Sequence, residues 1–380
     1  MTSNRALHAA SLAQQDEFYT QFTDVQEELG HYWEHFRGAK ILCNCDDPFE
    51  SSFFRYLALQ FSYLGIRKLT ATCYAGSPIA QQQLSLFEED TPAPKRKPYC
   101  ATITDYRDWN GDGRTDILDV RYMLEHQIGC TVRVLDGDGD FRSPECVELL
   151  KDADIVITNP PFSLFREFVA LMMQYNKKFL IVGNKNAVTY KEIFPLIQQG
   201  KMWLGHRNMN SDFWLEVPSY ENYEKTDEQG RRLKHIMACW YTNLPITKRH
   251  EFLTLLYPYT PEAYPRYDNY DAIEVSRTDR IPMDYDGVMG VPITFLDKYC
   301  PSQFEILGIT QRGDVPFKTR VYTSADAPNY GDLNARAVIR DADGTLRSTY
   351  ARLLIRRKPR DESGDFYEIV HHGQQNTPPA

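Results

Sequence analysis

A short apolar run that ends in a rigid polar tetrapeptide constrains the fold more than any other part of this sequence. Residues 152–158 read Asp-Ala-Asp-Ile-Val-Ile-Thr, and Asn159-Pro160-Pro161-Phe162 follow directly. An apolar run this short is typical of a buried strand in a parallel sheet. Residues 163–173 then carry apolar side chains at helical spacing, with Ser163 placed to cap the first free amides. The pattern predicts that the tetrapeptide lies at the carboxyl edge of a parallel sheet, where open α/β folds bind their ligands.

The tetrapeptide suits methylation of a planar exocyclic amine. The side-chain oxygen of Asn159 and the carbonyl of Pro160 can each accept one amine hydrogen, which directs the nitrogen lone pair at an incoming methyl group. Phe162 can stack on the heterocycle, and Pro160 and Pro161 hold the acceptors rigid at little entropic cost. The alternative is that Asn-Pro-Pro only turns the chain after the strand.

Length and cysteine content set the general class of the protein. The 380 residues are enough for one large domain or two unequal ones, with a sizeable core. No segment resembles a signal peptide or a membrane span. The eight cysteines include no C-x-x-C pair and there is no His cluster at zinc spacing. We therefore expect a reduced, cytoplasmic protein without a disulfide framework, a structural zinc or a membrane association.

Charge is distributed unevenly along the chain. The net charge of -9 argues against a polyanionic partner, but residues 310–360 contain eleven Lys and Arg against five Asp, a local surplus of +6. The functional interpretation is a second subdomain that grips DNA through its phosphates. The alternative is an edge strand with basic flanks. The predicted DNA contacts are Arg352, Arg356, Arg357 and Lys358.

Strand and helix patterns alternate along the first two thirds of the chain, which indicates a parallel sheet covered on both faces. An amphipathic helical pattern at 12–36 precedes them, and residues 76–97 read as a long mobile loop. Strands are predicted at 39–44, 66–73, 131–135, 155–158, 178–183 and 201–204, and helices at 52–64, 163–173 and 189–199.

Two loops carry acids that suit a nucleotide-like cofactor. Asp46 and Asp47 follow the first strand and can hold a cationic amino group, although solvated loop acids are the alternative. This loop contains no glycine, so it lacks the usual fingerprint for close backbone approach to a cofactor. Asp140 and Phe141 follow the third strand, where an acid can bond an adenine amine and an aromatic ring can cover its face. The alternative there is a hydrophilic turn.

Residues 108–119 have the spacing of a calcium loop, with acids or amides at its first, third, fifth and twelfth positions and glycine at the sixth. A helix can follow at 118–127, but no clear helix precedes the loop. The alternative is a turn rich in Asp and Asn. The candidate calcium ligands are Asp108, Asn110, Asp112 and Asp119.

Three stretches resemble the EcoRI-type adenine-specific DNA methyltransferases. They are residues 46–53, residues 157–163 and, most specifically, the run 267–299, within a likeness that extends from about Ala39 to Lys358. The resemblance implies an α/β class I methyltransferase fold, Rossmann-like, with a mostly parallel sheet, helices on both faces and a smaller C-terminal DNA-recognition region. It also implies methyl transfer from S-adenosylmethionine to the exocyclic N6 of adenine in duplex DNA, after base flipping.

The resemblance also assigns residue roles. It places the target adenine at Asn159, Pro160, Pro161 and Phe162. It places the cofactor at Asp46, Asp47, Pro48, Phe49, Asp140, Phe141 and Asn159, with the first four at the methionine end. The glycine-free loop departs from the usual pattern of cofactor contacts.

The predicted domain division follows from these assignments. It comprises an N-terminal helical segment 1–38, a methyltransferase domain 39–247 with an insertion at about 76–128, a DNA-recognition region 248–366 and a disordered tail 367–380. The expected partners of a monomer are duplex DNA and, in a restriction–modification pair, a cognate restriction endonuclease. Two alternatives stay open: a methyltransferase acting on RNA or protein glutamine, and an inactive DNA-binding or calcium-dependent module.

Overall fold

A computed structural model describes residues 19–73, 98–217, 223–227, 230–311, 313 and 315–359. The chain divides into two units, Met1–Lys248 and Arg249–Ala380. The expectations for residues 12–18, 76–97 and 367–380 fall outside the described residues. No described helix is long and apolar enough to cross a membrane.

The first unit contains twelve strands and eight α-helices among its described residues. The strands are β1 Tyr19–Thr20, β2 Lys40–Asn44, β3 Lys68–Cys73, β4 Tyr99–Ile103, β5 Cys130–Val134, β6 Ile155–Thr158, β7 Lys178–Asn184, β8 Trp203–Leu204, β9 Trp214–Glu216, β10 Lys225–Thr226, β11 Arg232–His235 and β12 Ala238–Thr242. The helices are α1 Phe22–Leu29, α2 Trp33–Phe36, α3 Ser52–Leu59, α4 Phe61–Leu64, α5 Ile117–His126, α6 Pro144–Asp152, α7 Phe165–Gln174 and α8 Phe194–Gln198.

An eight-stranded mixed sheet organises this unit, in the order β5-β4-β3-β2-β6-β7-β12-β8. The four central strands β3, β2, β6 and β7 are parallel, but β4 and β12 run antiparallel to their neighbours. The sheet as a whole is therefore mixed, and the predicted parallel pairing holds among its four central strands. The sequence pattern did not identify the two reversed strands, because β4 lies inside the predicted insertion and β12 follows the last strand that the alternating pattern identified. A second, four-stranded sheet has the order β1-β9-β11-β10.

Alternating side chains bury both faces of the main sheet. On one face, Ile41, Ile155 and Leu180 join a cluster that includes Phe53 of α3 and Met123 of α5. On the other, Cys100 of β4 clusters with Cys146 of α6. Helices thus cover both faces, as the strand–helix alternation predicts.

The second unit contains two further sheets. Its strands are β13 Ile273–Glu274, β14 Met289–Pro292, β15 Phe304–Ile309, β16 Val338–Arg340, β17 Leu346–Ser348 and β18 Arg352–Arg357, and its helix is α9 Tyr330–Leu333. The larger sheet has the order β13-β14-β18-β15, and β16 pairs with β17 in a two-stranded ribbon. Because β18 pairs with β14 on one side and β15 on the other, the interpretation of this basic stretch as an edge strand is wrong. Its buried centre, Leu353, Leu354 and Ile355, explains the interior position.

Candidate active site at the carboxyl edge of the main sheet

The loops that follow β2 and β6 leave the sheet at the same edge, because these strands are neighbours and parallel. The hydroxyl of Thr158, the last residue of β6, contacts both the carboxylate of Asp46 and the carbonyl of Asn44. The sheet therefore brings the Asp46 loop and the Asn159 tetrapeptide together, as the sequence predicts for two strands that end at one edge.

The carboxylate of Asp46 is held inside the protein. It accepts a hydrogen bond from Ser51 Oγ at 2.8 Å and another from Thr158, and Asp46 is only 7% exposed. Ser51 in turn accepts the N–H of Phe54 and caps α3. We call Thr158, Asp46 and Ser51 the edge brace, because the three residues connect the end of β6 to the beginning of α3.

Asp47 connects the same loop to the next two strands. Its Oδ1 accepts the Phe49 N–H at 2.9 Å and the Tyr99 hydroxyl at 3.0 Å, and its Oδ2 accepts the Cys73 thiol at 3.2 Å. Pro48 is buried, and Phe49 packs half-buried against the core. Sequence reasoning missed the contacts of Tyr99 and Cys73, since the strand that carries Tyr99 lies inside the predicted insertion and nothing in the sequence marks Cys73 as a partner of Asp47.

The glycine-free loop turns at Cys45, which has φ 72°. Only glycine adopts this left-handed conformation without a steric cost, so a side chain here stores local strain. Such strain collects at functional sites, where the surrounding structure holds the residue in place. Cys45 thus stands where a glycine would be expected, between β2 and the edge brace.

The tetrapeptide leads into α7 through a short 3-10 turn. The Pro161 carbonyl accepts the Leu164 N–H at 3.0 Å, and α7 begins only at Phe165, with Leu164 at its N-cap. The prediction of Ser163 as the helix cap is therefore wrong, because the 3-10 turn delays the helix. Asn159 and Phe162 are half-buried, and Phe162 packs on the same core cluster as Phe49. The packing holds Phe162 while leaving it partly exposed, whereas the Oδ1 atom of Asn159 is itself buried.

A close packing contact sets the position of α7. The ring of Phe165 lies against Gly183 of β7, where an added Cβ would come within 2.3 Å of the ring. Phe165 also packs on Tyr241, with ring centroids 5.1 Å apart. The first turn of α7, and with it the tetrapeptide just before it, therefore sits as close to the sheet as a glycine permits.

Asp140 and Phe141 are engaged in internal contacts. The Asp140 carboxylate accepts the backbone N–H of Arg142 at 2.8 Å and its Nε and Nη2 at 2.9 and 2.6 Å. Burial acts to raise the pKa of Asp140, but these hydrogen bonds outweigh it and lower the pKa. Phe141 is only 3% exposed and meets Phe168 edge-on at 5.0 Å. The predicted contacts of this pair with a cofactor adenine stay a prediction.

The structure does not support the predicted calcium site. Asp108 accepts the N–H groups of Gly111 and Gly113 at 2.7 and 2.8 Å. The buried Asp119 accepts three backbone N–H groups and forms a capping box with Asp116 at the start of α5. Asn110 and Asp112 each accept an N–H two residues ahead. These oxygens shape a turn, and within the described ranges no three His, Cys, Asp or Glu side chains converge to hold a metal.

In the second unit, the predicted DNA-binding arginines of β18 all pair with acids. Arg352 Nη2 lies 2.7 Å from Glu274 Oε1, with side chains only 12% and 8% exposed. Burial acts to lower the pKa of Arg352, but its contacts with Glu274 outweigh it and raise the pKa. Arg356 and Arg357 pair with Glu305 and Asp286, each at 2.6 Å, and Lys358 is exposed. The side chain of Arg352 is thus buried in an ion pair with Glu274, and its predicted contact with DNA stays a prediction.

Four central parallel strands, helices on both faces and Asn-Pro-Pro-Phe at the carboxyl edge define the class of α/β methyltransferases. Residues 6–358 match the model of the family described as adenine-specific methyltransferase EcoRI. The chain belongs to this family, as the resemblance of residues 46–53, 157–163 and 267–299 predicts.

Relatives from three bacteria support the same assignment. The chain is 43% identical to the type II methyltransferase M.EcoRI of Escherichia coli over 312 residues, which cover 80% of this chain and 89% of that protein. It is 32% identical to M.MpnI of Mycoplasma pneumoniae and to M.MgeORF184P of Mycoplasma genitalium, over 92% of this chain and 97% and 98% of those proteins. No solved structure matches the chain significantly.

Proposed function

We propose that this chain is a type II DNA methyltransferase that transfers a methyl group from S-adenosylmethionine to the exocyclic N6 of adenine in duplex DNA. The observation that carries the proposal is the position of Asn159-Pro160-Pro161-Phe162, at the carboxyl edge of β6 and joined to the loop after β2 by the edge brace. The adenine-specific family that the chain belongs to supports the same substrate atom.

The tetrapeptide aligns the target amine with the methyl donor and polarises it. The Asn159 side-chain oxygen and the Pro160 carbonyl accept the two amine hydrogens, while Phe162 stacks on the flipped base. S-adenosylmethionine, when bound, supplies an electrophilic methyl group on an excellent leaving group. Because the Asn159 and Pro160 acceptors need only orient the amine, no general base is required before methyl transfer.

The carboxyl edge offers polar groups that fit this cofactor. Asn44 and Thr72 lie opposite each other at the ends of β2 and β3. Both are buried, and the Asn44 amide and the Thr72 hydroxyl have no hydrogen-bond partner among the described residues. Buried polar groups without partners are rare in proteins. The ammonium, carboxylate and hydroxyl groups of S-adenosylmethionine have the chemistry to satisfy them.

We further propose that Asp46 acts as a positioning residue. Its carboxylate is already bonded to Thr158 and Ser51, so its effect on the reaction passes through Thr158 to the adjacent Asn159. Asp47, Pro48 and Phe49 then shape the loop at the methionine end of the cofactor. In this proposal Asp46 positions the end of β6, and Asp47 holds the loop that follows β2.

The second unit is proposed to recognise DNA. The surplus of positive charge between residues 310 and 360 supports phosphate contacts, for which Arg356, Arg357 and Lys358 are the candidates. We propose that the enzyme acts as a monomer, accompanied by an endonuclease of the same specificity where it belongs to a restriction–modification pair.

Sequencing that detects N6-methyladenine tests the proposal directly. Unmethylated genomic DNA is incubated with the purified chain and S-adenosylmethionine, and we expect methylation at one short motif. Absence of any methyladenine, together with absence of S-adenosylmethionine binding in calorimetry, would contradict the proposal. RNA or protein-glutamine methylation and an inactive module are the alternatives, and the family's adenine specificity does not favour them.

A further inference from the structure

The second unit contains an arginine that differs from its neighbours in its contacts. Of the seven arginines that the structure describes between residues 315 and 359, six form ion pairs with Asp or Glu. The seventh, Arg336, is exposed and has no ion pair with any described residue. An arginine without a carboxylate partner keeps its five donors available for a ligand.

Arg336 stands beside the most exposed large hydrophobic side chain in the described part of the chain. Tyr350 is 79% exposed, and the Arg336 guanidinium lies 5.8 Å from the centre of its ring, within the range of a cation–π contact. A single exposed tyrosine needs no explanation. An exposed tyrosine beside a guanidinium that has no carboxylate partner does call for an explanation. Both groups are used in interfaces with nucleic acids.

The backbone under this pair is rigid. Arg336 and Tyr350 lie opposite each other just beyond the β16–β17 ribbon, whose pairing continues through the Thr349 N–H bond to the Ala337 carbonyl at 2.9 Å. The fully buried Asn269 donates to the Arg336 carbonyl and accepts the Val338 N–H, both at 2.8 Å. A fixed backbone means that binding has to order only the two side chains and not the chain that carries them.

We propose that Arg336 and Tyr350 read the DNA sequence by direct contact with bases, with the arginine fork on a base edge and the tyrosine ring against a neighbouring base or sugar. The partner is duplex DNA, because the pair lies within the basic stretch of a unit proposed to bind it. A guanine edge is the usual match for a free arginine fork in the major groove. This inference rests on the proposed function and adds the residues that determine specificity.

The experiment compares variants by sequencing of N6-methyladenine on unmethylated genomic DNA. We expect Arg336→Ala to relax discrimination at one base-pair position of the motif by about 10- to 100-fold while methylation continues. Arg336→Lys keeps the charge but lacks the fork, so it is expected to retain DNA affinity and lose the discrimination. Tyr350→Ala is expected to weaken DNA binding and Tyr350→Phe to preserve it.

Arg347→Ala provides the matched control. Arg347 lies on the same ribbon, and its replacement by alanine removes the same charge. Unlike Arg336, it pairs with an acid, Asp341. The DNA motif that the Arg347→Ala variant methylates is expected to stay that of the wild type. If Arg336→Ala, Arg336→Lys and Arg347→Ala all keep the wild-type motif, the inference is overturned while the proposed function stands. If the wild-type chain itself methylates no DNA, the proposed function fails and the inference fails with it.

Discussion

The carboxyl edge of the main sheet and the arginine-rich strand β18 both carry polar groups that stand out clearly in the sequence. The two sets of side chains differ in their surroundings. At the sheet edge, Asn159 and Phe162 are both half-buried, and Phe162 packs against the core of the first unit. On β18, Arg352 pairs with Glu274, which is 78 residues away in the sequence. A contiguous motif therefore keeps its residues together at one sheet edge, whereas a charge surplus does not identify which charges are available to a ligand.

The largest expected effect tests the sheet edge itself. Asn159→Ala removes a preorganised acceptor for the adenine amine, so we expect methyl transfer to fall by roughly 100-fold or more, about 3 kcal/mol. S-adenosylmethionine affinity should change little, because the contact is to the target base. Single-turnover transfer of labelled methyl, measured beside calorimetric cofactor binding, separates the two quantities. Wild-type transfer by this variant would reduce the tetrapeptide to a turn.

The second expected effect tests whether Arg352 is structural. Arg352→Ala leaves Glu274 buried without its partner, and we expect the free energy of unfolding to fall by about 3 kcal/mol. The control Arg347→Ala breaks an exposed pair, for which we expect less than about 1 kcal/mol. Denaturant unfolding measures both. If the Arg352→Ala variant had normal stability but lower DNA affinity, Arg352 would be a DNA-binding residue.

The third concerns the edge brace. Thr158→Val removes the hydroxyl that contacts Asp46, so we expect single-turnover transfer to fall about tenfold, the scale of one buried hydrogen bond. Thr158→Ser restores the hydroxyl and should recover most of the rate. Thr242→Val is the matched control, because Thr242 also buries a hydroxyl, bonded to the Phe179 carbonyl at 2.7 Å. If both valine variants lose stability alike and transfer alike, the brace has no role in positioning Asn159.

The smallest expected effect concerns the end of β18. Arg356→Ala combined with Arg357→Ala should weaken binding to all DNA sequences alike and reduce the dependence of log affinity on log salt by about 2. Fluorescence anisotropy over a salt series measures both quantities. An unchanged slope would place these arginines with Arg352, as parts of the sheet that only pair with Glu305 and Asp286.

The sequence predicted the core of the fold because its central strands are short apolar runs followed by helices at regular spacing. It did not predict β4, since this strand lies within a stretch assigned to a polar insertion. The contact of Tyr99 with Asp47 was missed with it. The spacing of Asp108, Asn110, Asp112 and Asp119 suggested calcium because a metal loop and a turn held by its own side chains share the same residue types.

The contact between Gly183 and Phe165 links the placement of the Asn159–Phe162 tetrapeptide to the absence of a side chain at one position of the sheet. A side chain at 183 would have to displace the ring that anchors the first turn of α7. A substitution that enlarges residue 183 is therefore expected to require a smaller side chain at 165 or a displaced α7, so the two positions constrain each other in evolution.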